Sequence, residues 1–151
     1  LSSAWNQKFA SLFGEQVTLD EIEHDMIRGW SRYQEPRIHF AVNCAAIGCP
    51  ALRAEAYVGD KLEEQLEDST KRFLSDRSRN YYDNGRMYIS SIFDWYEEDF
   101  EQGWGGIDSV AEFLAGYVAD LEVDMAVANQ LRADDIRIRH LKYDWSLNDT
   151  Q

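Results

Sequence analysis

Both cysteines of this chain, one of its three histidines and one of its two prolines fall in a single stretch, Arg37-Ile-His-Phe-Ala-Val-Asn-Cys-Ala-Ala-Ile-Gly-Cys-Pro50. These residue types can do thiol chemistry. A cysteine attacks as the thiolate and needs a base within about 3 Å, commonly a histidine oriented by a third polar group. His39 is the candidate base, Cys49 the better nucleophile and Cys44 the second choice, with the N–H region of Gly48 available to an oxyanion. The same spacing closes a short disulfide ring if the loop doubles back, worth roughly 2 kcal/mol in the chain-entropy account. Two inert buried thiols are the third reading. A structural zinc site takes four Cys or His ligands, and His24, His39 and His140 show no ligand spacing, so neither a metal nor a cofactor is expected.

The elements that must position these groups start with the stretch itself. Alternation places Ile38, Phe40 and Val42 on one face and Arg37, His39, Ala41 and Asn43 on the other, which predicts a strand. By parity Cys44 then lies opposite His39. Cys49, beyond the small-residue turn Ala45, Ala46 and Gly48, can fold back to either face. Pro50 has no N–H and ends the ladder. A cleft is expected where the loop leaves the sheet, with Arg37, His39 and Asn43 facing it. Its acid comes from a helix capped by Ser91 and running through Phe100, in which Ile92, Tyr96 and Phe100 face the core with Trp95 beside them. Asp94 and Asp99 are the candidates to orient the histidine or to work as acid and base; the plainer reading of this crowded run is a solvated face.

Two further stretches bear on the cleft. Thr18-x-x-Glu21 is a capping box opening a helix to about Trp30, with Leu19, Ile22, Met26 and Trp30 as its buried stripe. Asp20, His24 and Arg28 follow at i, i+4 and i+8, either as a surface ion ladder or with His24 or Arg28 turned to the His39 cleft. The Gly103-Trp-Gly-Gly106 loop makes Trp104 a candidate binding residue, as a lid or as a packed turn.

Elsewhere, Trp5, Phe9, Leu12 and Phe13 with Gly14 read as an aromatic lead-in, a short hairpin or loop. Asp60-x-x-Glu63 is a second capping box, with a helical stripe of Leu62, Leu66, Ser69 and Phe73 ending near Leu74. Lys71, Arg72, Arg77 and Arg79 form the basic cluster and offset the acidic helix ahead of them. Tyr81–Ile89 is a hairpin turning at Asn84-Gly85. Asp108 caps an amphipathic helix to Leu121, a second helix covers about Asp124–Leu131, and Ile136–His140 is a strand free to pair with Ile38–Val42. The sum is an α+β fold, a small mixed or antiparallel sheet covered by several helices, in a single domain over 1–151.

Composition limits function. The chain has 151 residues with 44% hydrophobic and 13% aromatic content, enough for a real core. A net charge of -13 argues against nucleic acid and against anionic membrane surfaces. No apolar run approaches the roughly 18 residues of a membrane span, so no membrane insertion of this segment is expected.

The run His39–Pro50 resembles the signature of an uncharacterised, mainly bacterial family, domain of unknown function 547. Leu19-Asp-Glu-Ile-Glu-His24 with Arg28, Ile92–Phe100, and Tyr143-Asp-Trp-Ser-Leu-Asn148 are similar to that family in the same order. The resemblance implies a secreted protein, periplasmic or extracellular, and no named reaction. It also implies that this chain covers the C-terminal two-thirds of the family domain and starts after an upstream aromatic-rich helical segment. The expected function is an extracytoplasmic binding or structural module of the cell envelope with a Cys44–Cys49 loop, recognising a peptide, a glycan or an envelope protein. The alternative is a thiol-dependent hydrolase or transferase using a Cys nucleophile and His39.

Overall fold

The structure, a computed structural model, describes residues 4–29 and 33–149. The chain divides into two compact units, Leu1–Glu35 and Pro36–Gln151, and each is described by itself.

In the first unit, β1 (Ala10–Leu12) and β2 (Glu15–Val17) pair antiparallel. Phe13 and Gly14 turn the chain, both at positive φ (52° and 86°), the two-residue turn whose twist matches that of a hairpin. The capping box forms: Thr18 N–H donates to Glu21 Oε2 at 2.7 Å and Glu21 N–H to Thr18 Oγ1 at 3.0 Å. The helix behind it, Glu21–Arg28, is wound as a π-helix, closing with Gly29 N–H to the His24 carbonyl at 2.7 Å. Leu19 is exposed, while Ile22 and Met26 are half-buried. Trp30 and Ser31 lie outside the described residues.

The second unit begins with a correction. Pro36–Phe40 is a 3-10 helix, not a strand. Proline is preset for a first helical position, and a turn of three residues buries His39 and Phe40 together, which alternation would have separated. There is no strand here for Ile136–His140 to join.

A 3-10 turn, Gly59–Lys61, leads into α1 (Leu62–Leu74). Asp60 sits in that turn and does not cap α1, whose first residue follows Lys61 without a side-chain cap. The helix buries Leu66, Ser69, Phe73 and Leu74, whereas Leu62 stays at the surface. Its polar side carries Lys71–Glu67 and Arg72–Asp68 pairs at i, i+4. Beyond it Arg77 donates to the Asn80 and Leu121 carbonyls at 2.9 and 3.0 Å and also to the Asp120 carbonyl, tying the α1 exit to a distant turn.

β3 (Tyr81–Asp83) and β4 (Arg86–Ser90) form the expected hairpin, with Asn84 and Gly85 at φ 47° and 76°. β5 (Arg137–Leu141) pairs in parallel with β4, Met87 opposite Ile138 and Ile89 opposite His140. The sheet is therefore mixed, in the order β3-β4-β5.

Between β4 and β5 run four helices. The predicted helix from Ser91 breaks at Tyr96 into α2 (Ile92–Trp95) and α3 (Glu97–Phe100). The break turns Phe93 into the core and leaves Trp95 exposed. α4 (Val110–Ala115) is capped by Ser109, whose side chain accepts from Glu112 N–H, and not by Asp108. It is shorter than predicted, although Leu121 is still buried beyond it. Asp124 caps α5 (Met125–Arg132) by accepting from Val127 N–H at 2.9 Å.

All of this packs on five phenylalanines, Phe40, Phe73, Phe93, Phe100 and Phe113. Phe40 meets the other four, and Phe93, Phe100 and Phe113 meet one another, with centroids 4.9 to 6.3 Å apart and each residue at most 3% exposed. At these spacings tilted and offset ring pairs add to the gain from area burial.

Candidate functional site

The cysteine loop does double back. Cys44 and Cys49 form a disulfide with Cα atoms 5.9 Å apart, and no cysteine is free. Asn43 shapes the entry: its Oδ1 accepts from Ala45 N–H at 2.9 Å, and its Nδ2 donates to the Pro50 carbonyl at 2.8 Å. This is the side chain to neighbouring backbone bonding that suits Asn to turns. Ala45 takes a positive φ of 61° within the bend.

The last described residues fold back along this loop. Ile47 N–H donates to the Ser146 carbonyl (2.8 Å), Gly48 N–H to that of Asp144 (2.9 Å), and Asn148 N–H to that of Ala45 (2.8 Å). Ala46 and Leu147 make an antiparallel bridge. The pairing sets Tyr143 under the loop, and only a glycine fits there. A Cβ on Gly48 would stand 2.7 to 2.9 Å from three Tyr143 ring carbons. The Tyr143 hydroxyl reaches both sulfurs, 3.1 Å from Cys49 Sγ and 3.2 Å from Cys44 Sγ. Burial pushes its phenol above the ordinary tyrosine value, opposed by the charge of Arg79.

On the outer side of Tyr143 lie two tryptophans. Trp95 and Trp145 stack with centroids 5.4 Å apart and planes at 24°, and Tyr143 contacts them at 4.7 and 4.6 Å. Trp95 is 45% and Trp145 67% exposed. Trp145 lies between Asp144 and Ser146, whose carbonyls accept from the disulfide loop, and Trp95 ends α2. Tyr143 also lines a hollow of about 300 Å³, together with Gly48, Ser78, Arg79, Lys142 and Asp144 among others, though neither tryptophan does. Arg79 also bonds the Ile47 carbonyl and pairs with Asp76 at 3.3 Å, so a cation is anchored at the rim.

The remaining predicted site residues go elsewhere. His39 is sealed in packing, its side chain 2% exposed, stacked on Tyr96 at 3.9 Å and bonded through Nε2 to Asp99 Oδ2 at 2.7 Å. The expected acid for the histidine is thus Asp99. Asp94 instead meets His140 Nδ1 at 3.5 Å at the surface. Arg37 binds Glu63 with both terminal nitrogens at 2.8 Å and reaches Glu67 at 3.3 Å. In the first unit, Arg28 Nη1 lies 2.9 Å from His24 Nδ1, and His24 Nε2 lies 3.8 Å from Asp20. Trp104 is half-buried in a 3-10 turn, Trp104–Gly106, between glycines at positive φ.

Sequence reasoning missed Tyr143, Gly48, Trp95 and Trp145 as one constellation. The signal was the ordered aromatic and acidic run at Tyr143–Asn148. Its partner, Cys49, lies 94 positions away and no spacing rule links them. Among the described residues no group of three or more His, Cys, Asp or Glu is arranged to hold a metal.

Residues 1–74 match the family described as Protein of unknown function, DUF547. The four-motif resemblance over most of the chain narrows in this match to the motifs at Leu19–His24 and His39–Pro50; those at Ile92–Phe100 and Tyr143–Asn148 lie beyond it. No curated protein and no solved structure matches the chain.

Proposed function

We propose that this chain, which through residues 1–74 belongs to the DUF547 family, is an extracytoplasmic binding module whose ligand is a glycan of the cell envelope. The observation that carries the reading is the stacked, exposed pair Trp95 and Trp145, packed against Tyr143, whose hydroxyl reaches both sulfurs of the disulfide loop. Large flat side chains presented rigidly to water lose little conformational freedom on binding and offer apolar area with an adjacent polar contact. A sugar ring has the matching shape, with one face of C–H groups and a rim of hydroxyls. The hollow beside Tyr143 supplies the polar partners, with Arg79, Lys142, Asp144 and Ser78 at its walls. The extracytoplasmic setting is supported by the disulfide, since such bridges persist in oxidising compartments.

The thiol-hydrolase alternative asks for a free thiolate beside the imidazole of His39. The disulfide and the buried bond from His39 to Asp99 weigh against it. Tryptophan fluorescence during titration with soluble envelope oligosaccharides, compared with peptides of the same compartment, tests the binding reading directly.

A further inference from the structure

The two sulfurs of the bridge stand in unequal surroundings. Cys44 is exposed, whereas Cys49 is 3% exposed. Cys49 Sγ accepts from the Cys44 N–H at 2.9 Å and from the Tyr143 O–H at 3.1 Å. Among the described residues Cys44 Sγ has only the same hydroxyl, at 3.2 Å, and that hydroxyl carries one proton to share. Donors aimed at a sulfur stabilise its thiolate, and the sulfur with the more stable thiolate is the better leaving group.

We propose that the Cys44–Cys49 bridge is a polarised thiol-exchange site, opened by a dithiol that attacks Cys44 Sγ and expels Cys49 as the thiolate. This goes beyond the binding reading and stands on the surroundings of the two sulfurs alone.

The step balances. The thiolate of the dithiol forms a bond to Cys44 Sγ as the Cys44–Cys49 bond breaks, and the electron pair leaves on Cys49 Sγ. The second thiol of the reductant then loses its proton to solvent and attacks its partner sulfur, releasing Cys44 as a thiolate. The dithiol is oxidised to its disulfide and the protein bridge is reduced by two electrons. The reverse sequence oxidises a dithiol partner.

The site keeps its shape when the bridge opens. The loop is held independently of the sulfurs by the three backbone bonds to Asp144, Ser146 and Asn148 and by both amide atoms of Asn43. The backbone donor and the Tyr143 hydroxyl therefore stay aimed at Cys49 after reduction. Burial keeps that phenol protonated, as a donor must be.

The test uses the folded protein and reduced glutathione, a monothiol with no second thiol of its own to close on, so that a rapid quench traps the mixed disulfide. The reaction is quenched with acid, and fragment mass spectrometry locates the adduct between positions 44 and 49. The proposal expects the adduct on Cys44 in at least tenfold excess, and a several-fold slower opening in Tyr143→Phe. An adduct on Cys49 or equally on both overturns it, as does a bridge that resists glutathione until denaturant is added. Cys49→Ser gives an independent arm: its Cys44 should take glutathione from oxidised glutathione quickly, while Cys49 in Cys44→Ser should take it at least tenfold more slowly. Equal rates in the two variants contradict the proposed polarity.

Discussion

Tyr143 and Cys49, 94 positions apart, meet at 3.1 Å between the phenolic oxygen and Sγ. The ring fills the space where Gly48 has no side chain, so loop and C-terminal segment lock through one aromatic group. Gly48→Ala should push that ring against Trp95 and Trp145 and cost roughly 1–3 kcal/mol, as overpacking does. Tyr143→Phe should cost only about 1 kcal/mol, because it removes a hydroxyl contact and keeps the packing. Urea unfolding of the oxidised chain measures both; a Gly48→Ala variant as stable as the parent contradicts this packing.

His39 and Asp99 form a buried polar pair inside the phenylalanine core. His39→Ala should destabilise by roughly 2–4 kcal/mol, from the cavity it leaves and the carboxylate deprived of that partner. Thermal unfolding checks it. A surface-like effect of a few tenths of a kcal/mol would show that the imidazole is not packed as described.

Glu67 gives the expected pH dependence. Partial burial alone would raise its carboxyl, but the Tyr117 hydroxyl, Lys71 and Arg37 together hold it below the ordinary glutamate value. A carboxylate depressed in the folded state adds stability that is fully present above its unfolded pKa and lost as pH falls through the folded one. Melting temperature should therefore drop as pH falls below about 4.3, the usual glutamate value, and Glu67→Gln should flatten that limb. An acid limb unchanged by Glu67→Gln would rule out this contribution.

Much of the local structure was legible because local chemistry dictates it. Asn84-Gly85 supplies two residues that accept positive φ, and the hairpin follows. Thr18 and Glu21 make the cap their side chains can reach, whereas the caps expected of Ser91, Asp60 and Asp108 do not form. The α+β class was read correctly; the one sheet expected, mixed or antiparallel, is two, an antiparallel pair and a mixed three-stranded sheet.

The misreadings have a common cause. Ile38, Phe40 and Val42 alternate, yet the five residues that open with Pro36 fit a 3-10 turn equally well, and burial of Phe40 among other rings decides between them. Once that strand is lost, β5 pairs with β4 across four intervening helices, a contact that no short-range pattern encodes. The site suffered likewise. Cys44, Cys49 and Asn43 were found in one stretch and do form one structure, while of the two acids offered for His39 only Asp99 meets it and Asp94 pairs with His140. The parity argument linking His39 to Cys49 fell with the strand, and the tryptophans came together only through the fold.

The most direct measurement is a titration of tryptophan fluorescence with soluble envelope oligosaccharides, run on the parent, Trp145→Ala and Trp95→Ala. The binding reading predicts a saturable change in the parent and at least a tenfold loss of affinity in each variant, about 1.4 kcal/mol. Millimolar oligosaccharide without effect on the parent, or variants that bind as tightly as it does, would contradict it.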